Sequence, residues 1–172
     1  MTIRRLFLIF FWLTVSLTAT CGDAYIFAYL CDYSGTPTNI RSAPGGAVVM
    51  TIDSKESYMF ELSNPVNGWW QLDAIYDAVE DDAGIPLRGS KTGKYYIHYS
   101  IVGFTTRNYS QDYYLLESPD ATSKVTYRFY DEILVHPIEA KDDWVKVKTT
   151  DMKHTGWIKS EMICNNPLTT CP

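Results

Sequence analysis

Histidine is the first residue type to weigh for chemistry, and the chain has three: His98, His136 and His154. An imidazole works as a general base or metal ligand when a second group shares its proton or its metal. None of the three has a metal-binding partner at i+2 or i+4. His136 sits in an apolar stretch before Pro137, and His154 lies in a polar turn. Nucleophilic Cys–His chemistry needs a reduced thiol, which an exported chain does not favour. Paired carboxylates such as Asp142-Asp143 occupy turn positions. The acidic run from Asp77 to Asp82 lacks the spacing of a calcium loop, and no phosphate-binding or dinucleotide glycine pattern is present. These features predict a non-enzymatic protein with no catalytic residue, no metal and no cofactor. Aromatic side chains remain. Trp69, Tyr96, Trp144 and Trp157 fall on otherwise polar strand faces, where flat rings stack on sugars or peptide segments.

Those rings must be positioned by strands. Short runs rich in Val, Ile, Tyr and Trp alternate with Gly, Pro, Asn and Asp turns. Strands are expected at 25–30, 48–52, 58–62, 69–76, 113–116, 125–130, 133–138, 144–149 and 155–159. Ala74 to Ala83 is read as one helical turn, and Ser160 to Ile163 as a short 3₁₀ turn. Alternation sends Val145 and Val147 to the core and leaves Trp144, Lys146 and Lys148 on the other face. Trp70 and Leu72 are the matching core positions earlier in the chain.

That match is part of a repeat. Gly68-Trp69-Trp70-Gln71-Leu72 and Asp143-Trp144-Val145-Lys146-Val147 are 75 residues apart, as are Pro44 and Pro119. Tyr96-Ile97-His98 and Trp157-Ile158-Lys159 are 61 apart, which places about 14 extra residues in the first copy. Three blocks in one order argue for two copies of one unit.

Before the first copy, Arg4-Arg5, an apolar run from Leu6 to Leu17 and the small residues 18–24 form the pattern of a secretory signal. The run has 12 residues, fewer than a bilayer span requires. Cleavage after Ala24 is expected; a lipid anchor at Cys21 is the weaker alternative, because Thr18 and Thr20 break its usual pattern. Removing residues 1–24 leaves 148 residues with 13 basic and 19 acidic side chains and no transmembrane helix. This balance argues against nucleic acid. Cys31, Cys164 and Cys171 remain, and three pairings are open. Cys164 with Cys171, closing a short loop that pins the tail, is the preferred candidate; all three thiols could also be free.

The order Asn39-Ile40-Arg41-Ser42-Ala43-Pro44, a Val-rich strand, Gly68-Trp69-Trp70-Gln71-Leu72 and Tyr96-Ile97-His98 resembles the bacterial Src-homology-3-like domain. The second copy keeps Ser118-Pro119, Trp144-Val145-Lys146-Val147 and Gly156-Trp157-Ile158, but has Leu115-Leu116-Glu117 in place of the first motif. The resemblance implies an all-β fold of two small SH3-like barrels in tandem. Residues 1–24 would be the signal, 25–103 the first barrel with an inserted loop at about 73–94, and 104–172 the second barrel and tail. It further implies an exported, periplasmic or cell-surface binding module, with peptidoglycan or its stem peptides as ligand. The alternative is an envelope protein as partner, in the role of an inhibitor or immunity factor.

Overall fold

The computed structural model describes residues 25–79, 85–86, 93–169 and 171. The expected signal, Cys21 and most of the inserted loop lie outside the described residues. Among the described residues the chain is all-β, and every strand pair is antiparallel.

The first eight strands are β1 (Ile26–Leu30), β2 (Thr38–Arg41), β3 (Val48–Ile52), β4 (Tyr58–Val66), β5 (Trp69–Asp77), β6 (Ile85–Pro86), β7 (Tyr96–His98) and β8 (Val102–Thr106). The remaining six are β9 (Asp112–Leu116), β10 (Val125–Tyr130), β11 (Leu134–Lys141), β12 (Trp144–Thr149), β13 (Thr155–Lys159) and β14 (Ile163–Cys164). Single 3₁₀ turns follow β7 and β13, at Tyr99–Ile101 and Ser160–Met162.

The pairings recur. β2 pairs β3, β4 pairs β5, and β7 bridges β5 to β2. Later, β9 pairs β10, β11 pairs β12, and β13 bridges β12 to β9. β1 pairs β4 and β8 in the first set; β8 pairs β11 and β14 in the second. β8 thus holds the closing place of one set and the opening place of the next.

A boundary at 103/104 would therefore cut a strand. Gly103 on β8 is needed for close approach. A Cβ there would come within 2.9 Å of both Cys31 Sγ and the Val135 carbonyl. A correction concerns the helical turn expected from Ala74. β5 continues to Asp77 because Ala74, Ile75 and Tyr76 pair in register with Glu61, Phe60 and Met59 on β4. A ladder of backbone hydrogen bonds outweighs the weak local helical preference of an alanine.

Hairpin chemistry sets the Trp strands. Asn67 and Gly68 both have positive φ, +50° and +81°, which is what a two-residue turn between twisted strands requires. β5 thereby starts with Trp69 outward and Trp70 inward. Trp70 and Leu72 are buried, as are Val145 and Val147 on β12. They join Ile40, Phe60, Ile97, Phe104, Leu115, Val135 and Ile158 in one continuous core. The two sets also lock through polar contacts. Trp70 Nε1 donates to the Pro137 carbonyl at 2.8 Å, and His136 Nδ1 lies 2.8 Å from the Val102 carbonyl.

Cys164 and Cys171 form a disulfide with Cα atoms 5.6 Å apart; Cys31 is a free, buried thiol that burial pushes up to about 12. Closing so short a loop is worth about 2.5 kcal/mol in the chain-entropy model. We expect Cys171→Ser to lower Tm by roughly 5–10 °C, read by differential scanning calorimetry. A non-reducing peptide map that joins Cys31 to either cysteine would overturn the assignment.

Candidate functional site

Cross-strand register decides what surrounds the four aromatic candidates. Trp69 stands opposite His98, with ring centroids 5.0 Å apart, and the Arg41 guanidinium lies 5.8 Å from the Trp69 ring. Tyr96 stands opposite Gln71. Trp144 faces Lys159, whose Nζ is 5.8 Å from the ring, and Trp157 faces Lys146 at 5.6 Å. Alternation places all four on the polar face of their strands, but that face does not leave all of them open to solvent. Cations and neighbouring side chains cover them unequally. Trp69 and Tyr96 are half-buried, while Trp144 and Trp157 retain only 9% and 5% exposure. Trp157 is thus a packed ring with no open face, and the four occupy two separate strand pairs rather than one platform.

The histidines are also absorbed by aromatic packing. His98 lies between Trp69 and Tyr99, its Nδ1 2.8 Å from the Ser100 hydroxyl, and burial holds it below the usual histidine range. Tyr99 continues this row to His136, at 6.4 Å. His154 stacks on Tyr127 at 3.8 Å, at the end of a column that continues through Phe129 to Tyr113. Among the described residues no three His, Cys, Asp or Glu side chains gather as a metal site would need.

Shape points instead to the surface where β9, β12 and β13 meet. A groove of about 410 Å³ runs there, with Leu116, Val125, Ile158 and Met162 as apolar walls and the uncovered edge of Trp144 in its lining. Tyr114 lines it from β9 with 38% exposure, beneath the Arg128 guanidinium at 4.8 Å. Asp112 and Lys159 bring opposite charges to the rim. Lys159 also lies 3.9 Å from Asp143 and 3.7 Å from Glu161. An apolar trough with two opposite charges can hold an uncharged or zwitterionic chain, with rings for stacking and the charges for orientation. It has no nucleophile and base in contact.

This groove lies within the stretch that has recognisable relatives. Residues 112–164 match the family model of the bacterial SH3 domain. The all-β region before this SH3 domain is not part of the match. Among solved structures, NlpC1 from Trichomonas vaginalis is similar at 10% identity, with a TM-score of 0.32. The match covers 88% of this chain and 50% of that one, so the chain spans about half the length of the NlpC1 chain. No curated protein matches.

Asp112 and Tyr114 lie just before Leu115-Leu116-Glu117, where the second copy departs from the motif of the first, so no motif marks them. The signal was nonetheless available: Asp112 and Tyr114 alternate with the buried Tyr113 and Leu115.

Proposed function

We propose that the protein is an exported, non-enzymatic binding module of the bacterial envelope, built from two SH3-like units that share β8. Its ligand is peptidoglycan or its stem peptides, held in the groove beside Tyr114. Bacterial SH3 domains are typically cell-wall binding modules, and the groove within residues 112–164 is the observation that carries this reading. The recurrence of the strand pairings supports the two-unit description. The Arg4-Arg5 and Leu6–Leu17 pattern supports export.

The test is co-sedimentation of residues 25–172 with purified peptidoglycan, followed by Tyr114→Ala. Truncating a ring that stacks on a ligand costs about 1–3 kcal/mol, or roughly ten- to a hundredfold in affinity. Tyr114→Ala should lose that much binding with an unchanged melting temperature. Tyr33→Ala, on a distant exposed ring, should bind as the parent does. Absence of sedimentation by the parent protein would reject the wall as ligand.

One observation favours the second reading, a protein partner. β3 ends the order of paired strands and carries Val48 and Val49 with 45% and 51% exposure. An apolar edge strand is a template for strand addition by another chain. Capture of an envelope protein through β3, blocked by Val49→Lys, would move the function to that class.

A further inference from the structure

A second recess lies beside β8 and shares no lining residue with the groove. Tyr29 on β1, Thr105 on β8, Glu132 in the turn before β11, and Asn166, Leu168 and Thr169 of the tail line a space of about 510 Å³. That size lies within the range of small-molecule sites. Its outer wall is the loop closed by the Cys164–Cys171 disulfide, so the wall is held in place covalently.

The polar groups here are only partly used by the fold: Tyr29 and Thr105 share a side-chain hydrogen bond. Glu132 is half-buried, and no described Lys, Arg or His pairs with its carboxylate. A carboxylate with no cation beside it is open to an incoming one, and a charge-assisted hydrogen bond between them is stronger than a neutral one. Tyr29 is buried to 9% exposure beside Thr105, and burial keeps its phenol protonated well above the usual tyrosine range. The phenol is thus a donor at all physiological pH values. Asn166 Oδ1 already accepts the Leu168 N–H at 2.8 Å, which leaves the Asn166 NH₂ to donate. The recess therefore offers one anionic acceptor beside two neutral donors.

We propose that this recess binds the free amino end of a peptide, with the α-ammonium on Glu132 and the adjacent carbonyl on Tyr29 or Asn166. A lone metal ion or a simple amine would satisfy the carboxylate but leave both donors idle. An ammonium next to a carbonyl uses the carboxylate and one of the donors at once. The site is separate from the groove, so this inference stands whether or not the protein binds peptidoglycan.

The probe is triglycine, titrated into the oxidised protein and followed by amide chemical shifts, with N-acetyl-triglycine as the uncharged counterpart. Triglycine should shift the amides of Glu132 and of residues 166–169. The acetylated peptide should bind at least about tenfold more weakly, the loss expected for one charge-assisted hydrogen bond. Glu132→Gln should show the same loss with the parent protein's melting temperature. The amides of residues 112–116 should not shift at the triglycine concentration that shifts Glu132, which keeps the result independent of the groove. Equal binding of the two peptides, or no shifts with triglycine at millimolar concentration, would overturn the proposal. The comparison of peptides on the parent protein decides the matter even if Glu132→Gln does not fold.

Discussion

Val145→Asp should unfold the protein under conditions where Lys146→Asp leaves it folded. The two positions are adjacent on β12 and receive the same charge. Val145 is 1% exposed in the core, paired with Ile158 and Ala140 on the neighbouring strands. A carboxylate there loses its hydration and meets no cation, a penalty of several kcal/mol in real proteins. Domains of this size hold only about 5–15 kcal/mol in total. Lys146 side-chain atoms are 34% exposed; its Nζ lies 3.3 Å from Glu139 and 5.6 Å from the Trp157 ring. Exposed contacts of that kind are worth about 1 kcal/mol or less. Urea denaturation followed by far-ultraviolet circular dichroism separates the two. The pH dependence has a sign as well. A buried Asp is raised above its unfolded pKa of roughly 4, so its destabilisation is full at neutral pH and shrinks as the pH falls toward that value. Equal losses for the two variants would show that the β12 faces are reversed.

Trp70→Ala should be at least as damaging, for a different reason. Trp70 heads the fully buried side chains by volume, and its indole N–H reaches across to Pro137, 67 residues away. Truncating a buried Trp costs about 3–5 kcal/mol, and the stranded Pro137 carbonyl adds about 1–3 kcal/mol. Trp70→Phe separates the terms. It keeps most of the ring volume but removes the donor, and should lose roughly half as much. Because β8 and the continuous core still join the two sets of strands, both variants should still melt in one transition, at lower denaturant. A Trp70→Phe protein as stable as the parent would show that the bond contributes nothing to the joint.

Strand boundaries were legible wherever the signal was local. β3, β10, β12 and β13 run between the residues that alternation and turn chemistry mark out. The inward turn of Trp70, Leu72, Val145 and Val147 was legible for the same reason, since a period of two fixes a face once one residue is placed. Pairings between distant segments were not. Nothing local to Val102–Thr106 says that this strand has β1, β11 and β14 as neighbours. The covering of Trp144 and Trp157 by lysines was equally hidden, because Lys159 and Lys146 meet those rings only through the β12–β13 register. The groove and the tail recess depend on closure in three dimensions. Tyr114 could be read as outward, but not as the wall of anything.

The sharing of β8 makes the architecture open-ended. β1 opens the first set of pairings, β8 closes it and opens the second, and β14 closes the second. By the same rule β14 stands where further pairing could be added, and a closing strand with an open edge is a place for association. Here that strand is only Ile163–Cys164, and its last residue is tied to Cys171 seven positions on. The bond holds the tail covalently against the short strand that closes the second set.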